Sequence, residues 1–121
     1  MAELATIEFE QAERACVVRI EGEIDMSNAD HMLAELMARA GVDPWLIVDL
    51  TRCSYVDSAG LTVIARADAR CREVLAGLRL VVVADSGVDR VLAMTRLKGL
   101  LNMDRSIEEA LEAAVEEDPK A

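Results

Sequence analysis

The chain has 121 residues, the size of one domain, and 53% of them are hydrophobic, which is enough for a core without disulfide or metal staples. Acidic residues outnumber basic ones 23 to 13, for a formal net charge of −10, a balance that disfavours nucleic acid and anionic membrane surfaces and favours a basic partner. No apolar run approaches the roughly 20 residues of a membrane-spanning helix. The N-terminal stretch MAELATIEFEQAER lacks a basic segment followed by an apolar one, so the cytoplasm is the expected compartment. Cys16, Cys53 and Cys71 are widely spaced with no C-x-x-C, which argues against a zinc site or disulfide framework and for three small buried hydrophobes.

In chain order, Ile7 to Glu10 and Cys16 to Gly22 read as strands around the polar turn Gln11 to Arg14. In the second, Val18 and Ile20 alternate with Arg19 and Glu21, one face buried and one wetter. From Ser27 the period becomes helical, with Ala29, Met32, Leu33, Leu36, Met37 and Ala40 on one stripe, Ser27 and Asp30 as a capping box, and Gly41 and Pro44 as the stop. Leu46 to Leu50 is a buried strand. A short polar turn follows it, and a helix starts at Asp57-Ser58-Ala59-Gly60 and runs to about Leu75, with Ile64, Ala67, Cys71 and Val74 facing inward.

Leu78 to Ala84 is the next strand, and Ser86 with Asp89 caps a helix carrying Val88, Val91, Leu92 and Thr95. Leu101 to Met103 reads as an edge strand. Ser106 and Glu109 form the cleanest capping box, opening a helix whose stripe is Ile107, Ala110, Leu111, Ala114 and Val115; residues 116–121, EEDPKA, are expected to fray. The pattern predicts one α/β domain over residues 1–121, a mixed sheet of four or five strands with about four helices. The helices should lie mainly on one face, because Asp49 and Arg79 interrupt the other.

The D-S-A-G turn places one hydroxyl at a helix N-terminus, the end of a helix that favours phosphate. A serine nucleophile would need a base and an oxyanion hole. His31 is the only histidine, on a helix beside Met32, and G-x-S-x-G is absent around Ser58. A receiver domain that accepts phosphate on aspartate would draw on Asp25, Asp49, Asp57 and Asp85 and want a lysine nearby, yet the two lysines, Lys98 and Lys120, follow no strong strand. Dinucleotide-binding and P-loop patterns are missing. Met26, Met32, Met37 and Met94 are expected to fill the core, with a Met-rich surface as the alternative. The neighbouring hydroxyls Thr51, Ser54 and Thr62 are expected to cap or face solvent. Asp57 is open between setting the local field at the serine and capping the helix.

These residues resemble the STAS domain, and within it the stand-alone bacterial anti-sigma factor antagonists. Gly22-Glu23-Ile24-Asp25 is similar to the family's G-E-L-D segment, and Leu46 to Leu61 to its signature strand and phosphorylation turn. Val91, Leu92, Thr95 and Leu97, then Ser106 to Leu111, are similar to its C-terminal third. Arg96, where glycine is common, and Leu101, where an aromatic is common, depart from the pattern. The resemblance implies a binding protein rather than an enzyme, with no catalytic residue, metal or cofactor of its own. It implies that Ser58 is phosphorylated by a partner anti-sigma factor acting as a serine kinase and dephosphorylated by a serine phosphatase. The unphosphorylated form would bind the anti-sigma factor and so free a sigma factor. Asp25, Asp57, Ser58, Ala59 and Gly60 are the implied partner contacts. A receiver-type phosphoacceptor and a non-switching STAS scaffold are the alternatives.

Overall fold

A computed structural model describes residues 5–119 of the chain. Strands β1 (Ala5–Ala12) and β2 (Ala15–Ile24) form an antiparallel hairpin, closed by the two residues Glu13 and Arg14, with Arg14 in the left-handed region at φ 62°. The chain then alternates: α1 (Ala29–Arg39), β3 (Trp45–Val56), α2 (Ser58–Glu73), β4 (Gly77–Val81), α3 (Gly87–Ala93), α4 (Leu97–Leu100), β5 (Asn102–Asp104) and α5 (Ile107–Glu116). The five strands lie in the order β1-β2-β3-β4-β5, with every pair after the hairpin parallel. This is the mixed sheet the alternation predicts, one strand at each connection being carried across by a helix.

Two apolar layers sandwich the sheet. The larger packs Val18, Ile20, Leu46, Val48, Leu78 and Leu80 against Met32 and Leu36 of α1, Ile64 and Ala67 of α2, and Val88 and Leu92 of α3. On the opposite face Val17, Trp45, Ile47 and Val81 meet Ala110 and Ala114 of α5. Most helices therefore cover one face, as Asp49 and Arg79 suggest, while α5 seals part of the other. Arg79 is buried there in a two-pronged ion pair with Asp104, Nε to Oδ2 at 2.8 Å and Nη2 to Oδ1 at 3.1 Å, and its guanidinium lies 4.9 Å from the Trp45 ring centroid.

The caps at Ser86 and Ser106 form as predicted: Ser86 Oγ accepts from the Asp89 N–H at 3.2 Å and Ser106 Oγ from the Glu109 N–H at 3.1 Å. Four expectations are corrected. Ser27 does not cap α1; the N-cap is Asn28, whose side chain makes no cap hydrogen bond, so a contribution of about 1 kcal/mol is forgone. The polar segment after Leu50 is strand as far as Val56, still paired with β2 after the β3–β4 pairing ends at Asp49. Val74 lies beyond α2 as its C-cap and is exposed. The tail does not fray at residue 116: Trp45 Nε1 donates to the Glu117 carbonyl at 2.9 Å, and Arg14 pairs with Asp118 at 2.6 Å. Residues 120 and 121 lie outside the described part. Leu101, despite departing from the family pattern, is buried, and β5 pairs with β4 beside it. The methionines divide: Met32 is buried, Met37 is half-buried, and Met26 and Met94 are exposed at 81% and 86%.

Candidate functional site

Parallel pairing brings the carboxyl ends of β2 and β3, Ile24 and Val56, side by side. In such sheets this edge collects the loops that meet other molecules. Past Val56 the backbone of Asp57 is extended, at φ −93° and ψ −171°, and its side chain caps α2 by accepting the Gly60 N–H at Oδ1, 3.0 Å. The other oxygen, Oδ2, accepts the Met26 N–H at 3.2 Å, and the Asp57 N–H donates to the Ile24 carbonyl at 3.2 Å. Asp57 is thus a clasp between two loops as well as the helix cap, with both carboxylate oxygens engaged by backbone.

Ser58 is the first residue of α2 and is exposed. Among the described residues no side chain hydrogen-bonds its Oγ, while its carbonyl accepts from Thr62 Oγ1 at 3.0 Å. It sits at the positive end of a helix of 16 residues whose first turn holds no acid. Ala59 beside it is half-buried and Gly60 is buried. A Cβ on Gly60 would lie 2.6 Å from Val56 Cγ1 and 2.9 Å from the Ile24 carbonyl oxygen, so only glycine lets α2 start this close to the two strands.

Asp25 lies on the neighbouring loop. Its Oδ1 accepts both the Ser27 N–H at 2.8 Å and the Ser27 hydroxyl at 2.6 Å, and these bonds hold its carboxyl below the usual carboxylate range. The structure therefore brings Asp25, Asp57, Ser58 and Ala59 to one rim, with Gly60 buried beneath it. The other hydroxyls have local roles or none: Ser54 Oγ donates to the Gly22 carbonyl at 3.3 Å, and Thr51 is exposed. Cys53 is buried just below, and desolvation pushes its thiol up, away from reactive thiolate.

Three rim residues escape sequence reasoning. Met26 and Tyr55 are exposed at 81% and 48%, on the Asp25 loop and at the end of β3, and Asn28 is tied into the Asp25 loop. The exposure of Met26 and Tyr55 carries no signal in the sequence, because no period or motif distinguishes an exposed apolar residue at a loop or strand end from a buried one.

The alternatives fare differently in the geometry. His31 is exposed on α1, and no hydrogen bond links it to Ser58 among the described residues. No group of three or more His, Cys, Asp and Glu that could hold a metal ion gathers among the described residues, so Asp25, Asp49, Asp57 and Asp85 do not form a receiver-type cluster. Clefts of about 380 Å³, lined in part by Thr6, Glu8, Arg19 and Arg52, and about 370 Å³, lined in part by Trp45, Asp68 and Arg72, both lie away from Ser58. Among the described residues no helix is long and apolar enough to cross a membrane.

The family model of the STAS domain matches residues 6–110, and the chain belongs to the STAS domain family. No curated protein matches it. Among solved structures it is similar to an anti-sigma factor antagonist from Mycobacterium paratuberculosis, at 24% identity and TM-score 0.82 over 92% of this chain and 94% of that one. It is also similar to the anti-sigma factor antagonist SpoIIAA in its unphosphorylated form, at 21% identity and TM-score 0.66 over 92% of this chain and 98% of that one. The phosphorylated form of the Bacillus cell fate determinant SpoIIAA matches at 22% identity and TM-score 0.65, over 88% and 97% of the two chains. At these identities the likeness is one of fold.

Proposed function

We propose that this chain is an anti-sigma factor antagonist whose binding is switched by phosphorylation of Ser58. In this reading the unphosphorylated protein binds an anti-sigma factor with serine-kinase activity in the cytoplasm and so frees a sigma factor. Phosphorylation abolishes that binding, and a serine phosphatase restores it. The observation that carries the reading is Ser58 itself: an exposed hydroxyl that no side chain hydrogen-bonds among the described residues, on a backbone fixed by the Asp57 cap, whose carboxylate oxygens are both taken up by main-chain N–H groups. A substrate serine needs presentation, whereas a nucleophilic one needs a base. Asp25, Asp57 and Ala59 frame the hydroxyl, and Gly60 acts by letting the helix start close to the sheet.

The switch follows from charge. A phosphate adds about −1.5 to −2 charges, which the α2 N-terminus tolerates with a gain of roughly 0.3–1 kcal/mol. The turn therefore stays folded, and the penalty falls across the interface, where an added charge against a dry or acidic partner surface costs several kcal/mol. Every 1.4 kcal/mol is about tenfold in affinity, so this suffices for a switch.

The test is to incubate the protein with candidate anti-sigma factor kinases and ATP and to map the modified peptide. An acid-stable phosphate on Ser58, absent in Ser58→Ala, with tight binding by Ser58→Ala and weak binding by the phosphoprotein, is the expected result. An acid-labile phosphate on an aspartate would instead establish the receiver-type alternative, and unchanged binding after phosphorylation would leave a non-switching scaffold.

A further inference from the structure

Asn28 stands at the N-cap of α1, where an asparagine ordinarily turns its oxygen onto the free N–H groups of the first helical turn. Here it makes no such bond. Its side chain turns back instead: Oδ1 accepts the Asp25 N–H at 3.1 Å, and Nδ2 donates to the Glu23 carbonyl at 2.8 Å. Its own N–H also donates to the Asp25 carbonyl at 3.2 Å. The loop held in this way is the one that Asp57 grips through the Met26 N–H.

We propose that Asn28 is a positioning residue for recognition of Ser58, giving up its helix cap to hold the Asp25–Ser27 loop in register with the Ser58 turn. The inference rests on the reading of the Ser58 rim as a partner surface and adds to it the residue that keeps the two halves of that surface aligned.

The chemistry is specific to an amide. One face of the side chain meets an N–H and the other a carbonyl, so it must accept at one atom and donate at the other, across the fixed fork of a carboxamide. Aspartate keeps the acceptor but sets a second oxygen against the Glu23 carbonyl. Serine is too short to span both groups. Both, however, are good N-cap residues, so neither substitution harms α1 as a helix. Stability and loop register therefore separate: a residue that serves only the helix would lose nothing in Asn28→Ser, whereas a residue that holds the loop loses its grip on Asp25. Ser27 then keeps its bonds to Asp25, but the pair moves as a unit free of Glu23.

The experiment compares wild type, Asn28→Ser and Asn28→Asp by melting temperature, by site-resolved amide hydrogen exchange, and by steady-state phosphorylation with the kinase that modifies Ser58 in the wild type. Expected are melting temperatures close to wild type and exchange at Asp25, Met26 and Ser27 faster by tenfold or more in Asn28→Ser. Amides of α5, on the opposite face of the sheet, should not change. The KM for phosphorylation should rise several-fold with kcat nearly unchanged, and Asn28→Asp should fall between the two.

Unchanged exchange in the loop, or acceleration shared equally with α5, would overturn the positioning role. Faster loop exchange with unchanged KM would overturn its part in recognition alone. If the wild type is not modified on Ser58, the underlying reading of the rim fails, and this role of Asn28 in recognition fails with it, whatever the exchange shows.

Discussion

Replacing Gly60 by alanine sets two opposing effects against each other. Inside an exposed helix the change would stabilise by about 1 kcal/mol through helix propensity. At this position the new methyl meets Val56 Cγ1 at 2.6 Å and the Ile24 carbonyl oxygen at 2.9 Å. Val56 is buried and β-branched, with little freedom at χ1, and the Ile24 carbonyl is fixed in β2 and already accepts the Asp57 N–H at 3.2 Å. Neither neighbour can yield, so the first turn of α2 must lift by some tenths of an ångström, which stretches the Asp57 bond. Overpacking of this kind costs about 1–3 kcal/mol, and with a backbone atom in the clash we take the upper figure. The net expectation for Gly60→Ala is a loss of about 2 kcal/mol. At a urea m-value near 2 kcal/mol/M, that lowers the unfolding midpoint by about 1 M. Equilibrium urea unfolding followed by circular dichroism measures this, and Ser58 phosphorylation should slow in the same variant. A midpoint equal to or above that of wild type would refute the reasoning, because it would mean that propensity wins and the close approach is not rigid.

Asp104→Leu should cost about 3 kcal/mol by leaving the buried Arg79 guanidinium only the longer contact to Glu117 at 3.7 Å, while the double change Arg79→Met/Asp104→Leu should recover most of it; a single variant within about 1 kcal/mol of wild type in urea unfolding would contradict this. Asp89 receives the Asp85 N–H at 2.9 Å and pairs with Arg105 at 3.1 Å and Lys98 at 3.2 Å, which holds its carboxyl at about 2 against an ordinary 3.8. Because the folded value is depressed, this stability is complete above about pH 4 and is lost as pH falls towards 2. After allowance for screening it amounts to about 1–2 kcal/mol. Asp89→Asn should accordingly show a flatter acid limb in urea unfolding at stepped pH, and parallel limbs for the two proteins would count against the assignment. Cys16, Cys53 and Cys71 are buried, and desolvation raises all three thiols, Cys71 to about 11. Native protein at neutral pH should therefore resist a thiol-specific dye that labels all three in denaturant, and rapid labelling of the folded protein would show that the core opens readily.

Much of the architecture was legible because periodicity and caps agreed. Val18 and Ile20 alternate with Arg19 and Glu21, and Ser106 with Glu109 opens α5 where the apolar stripe begins. Where reading failed, non-local pairing had overridden local signals. Thr51 to Tyr55 is polar because β3 there runs past β4 and is paired on one side only, and register shifts against β2 blur the alternation. The α1 cap was misplaced by one residue because Ser27 spends its hydroxyl on Asp25 rather than on the helix. The four-residue α4, with a glycine in it, is too short for any period to reveal. The hold on Glu117 comes from Trp45, 72 residues away in sequence, and no local pattern announces it. At the site, the exposed serine and the capping acid could be read from D-S-A-G. The partner of that acid across the rim could not, since it is a backbone N–H.

That the Asp57 carboxylate holds Met26 by its main-chain nitrogen has a consequence for how this surface can diversify. The grip is indifferent to which side chain is borne at position 26, excepting proline, which has no N–H to offer. Met26, exposed at 81%, is thereby released from any duty of its side chain to that bond. Its chemistry can be exchanged for another without loosening the Asp57 bond or moving the backbone that presents Ser58. The fold keeps the main-chain hold and the exposed side chain on separate atoms.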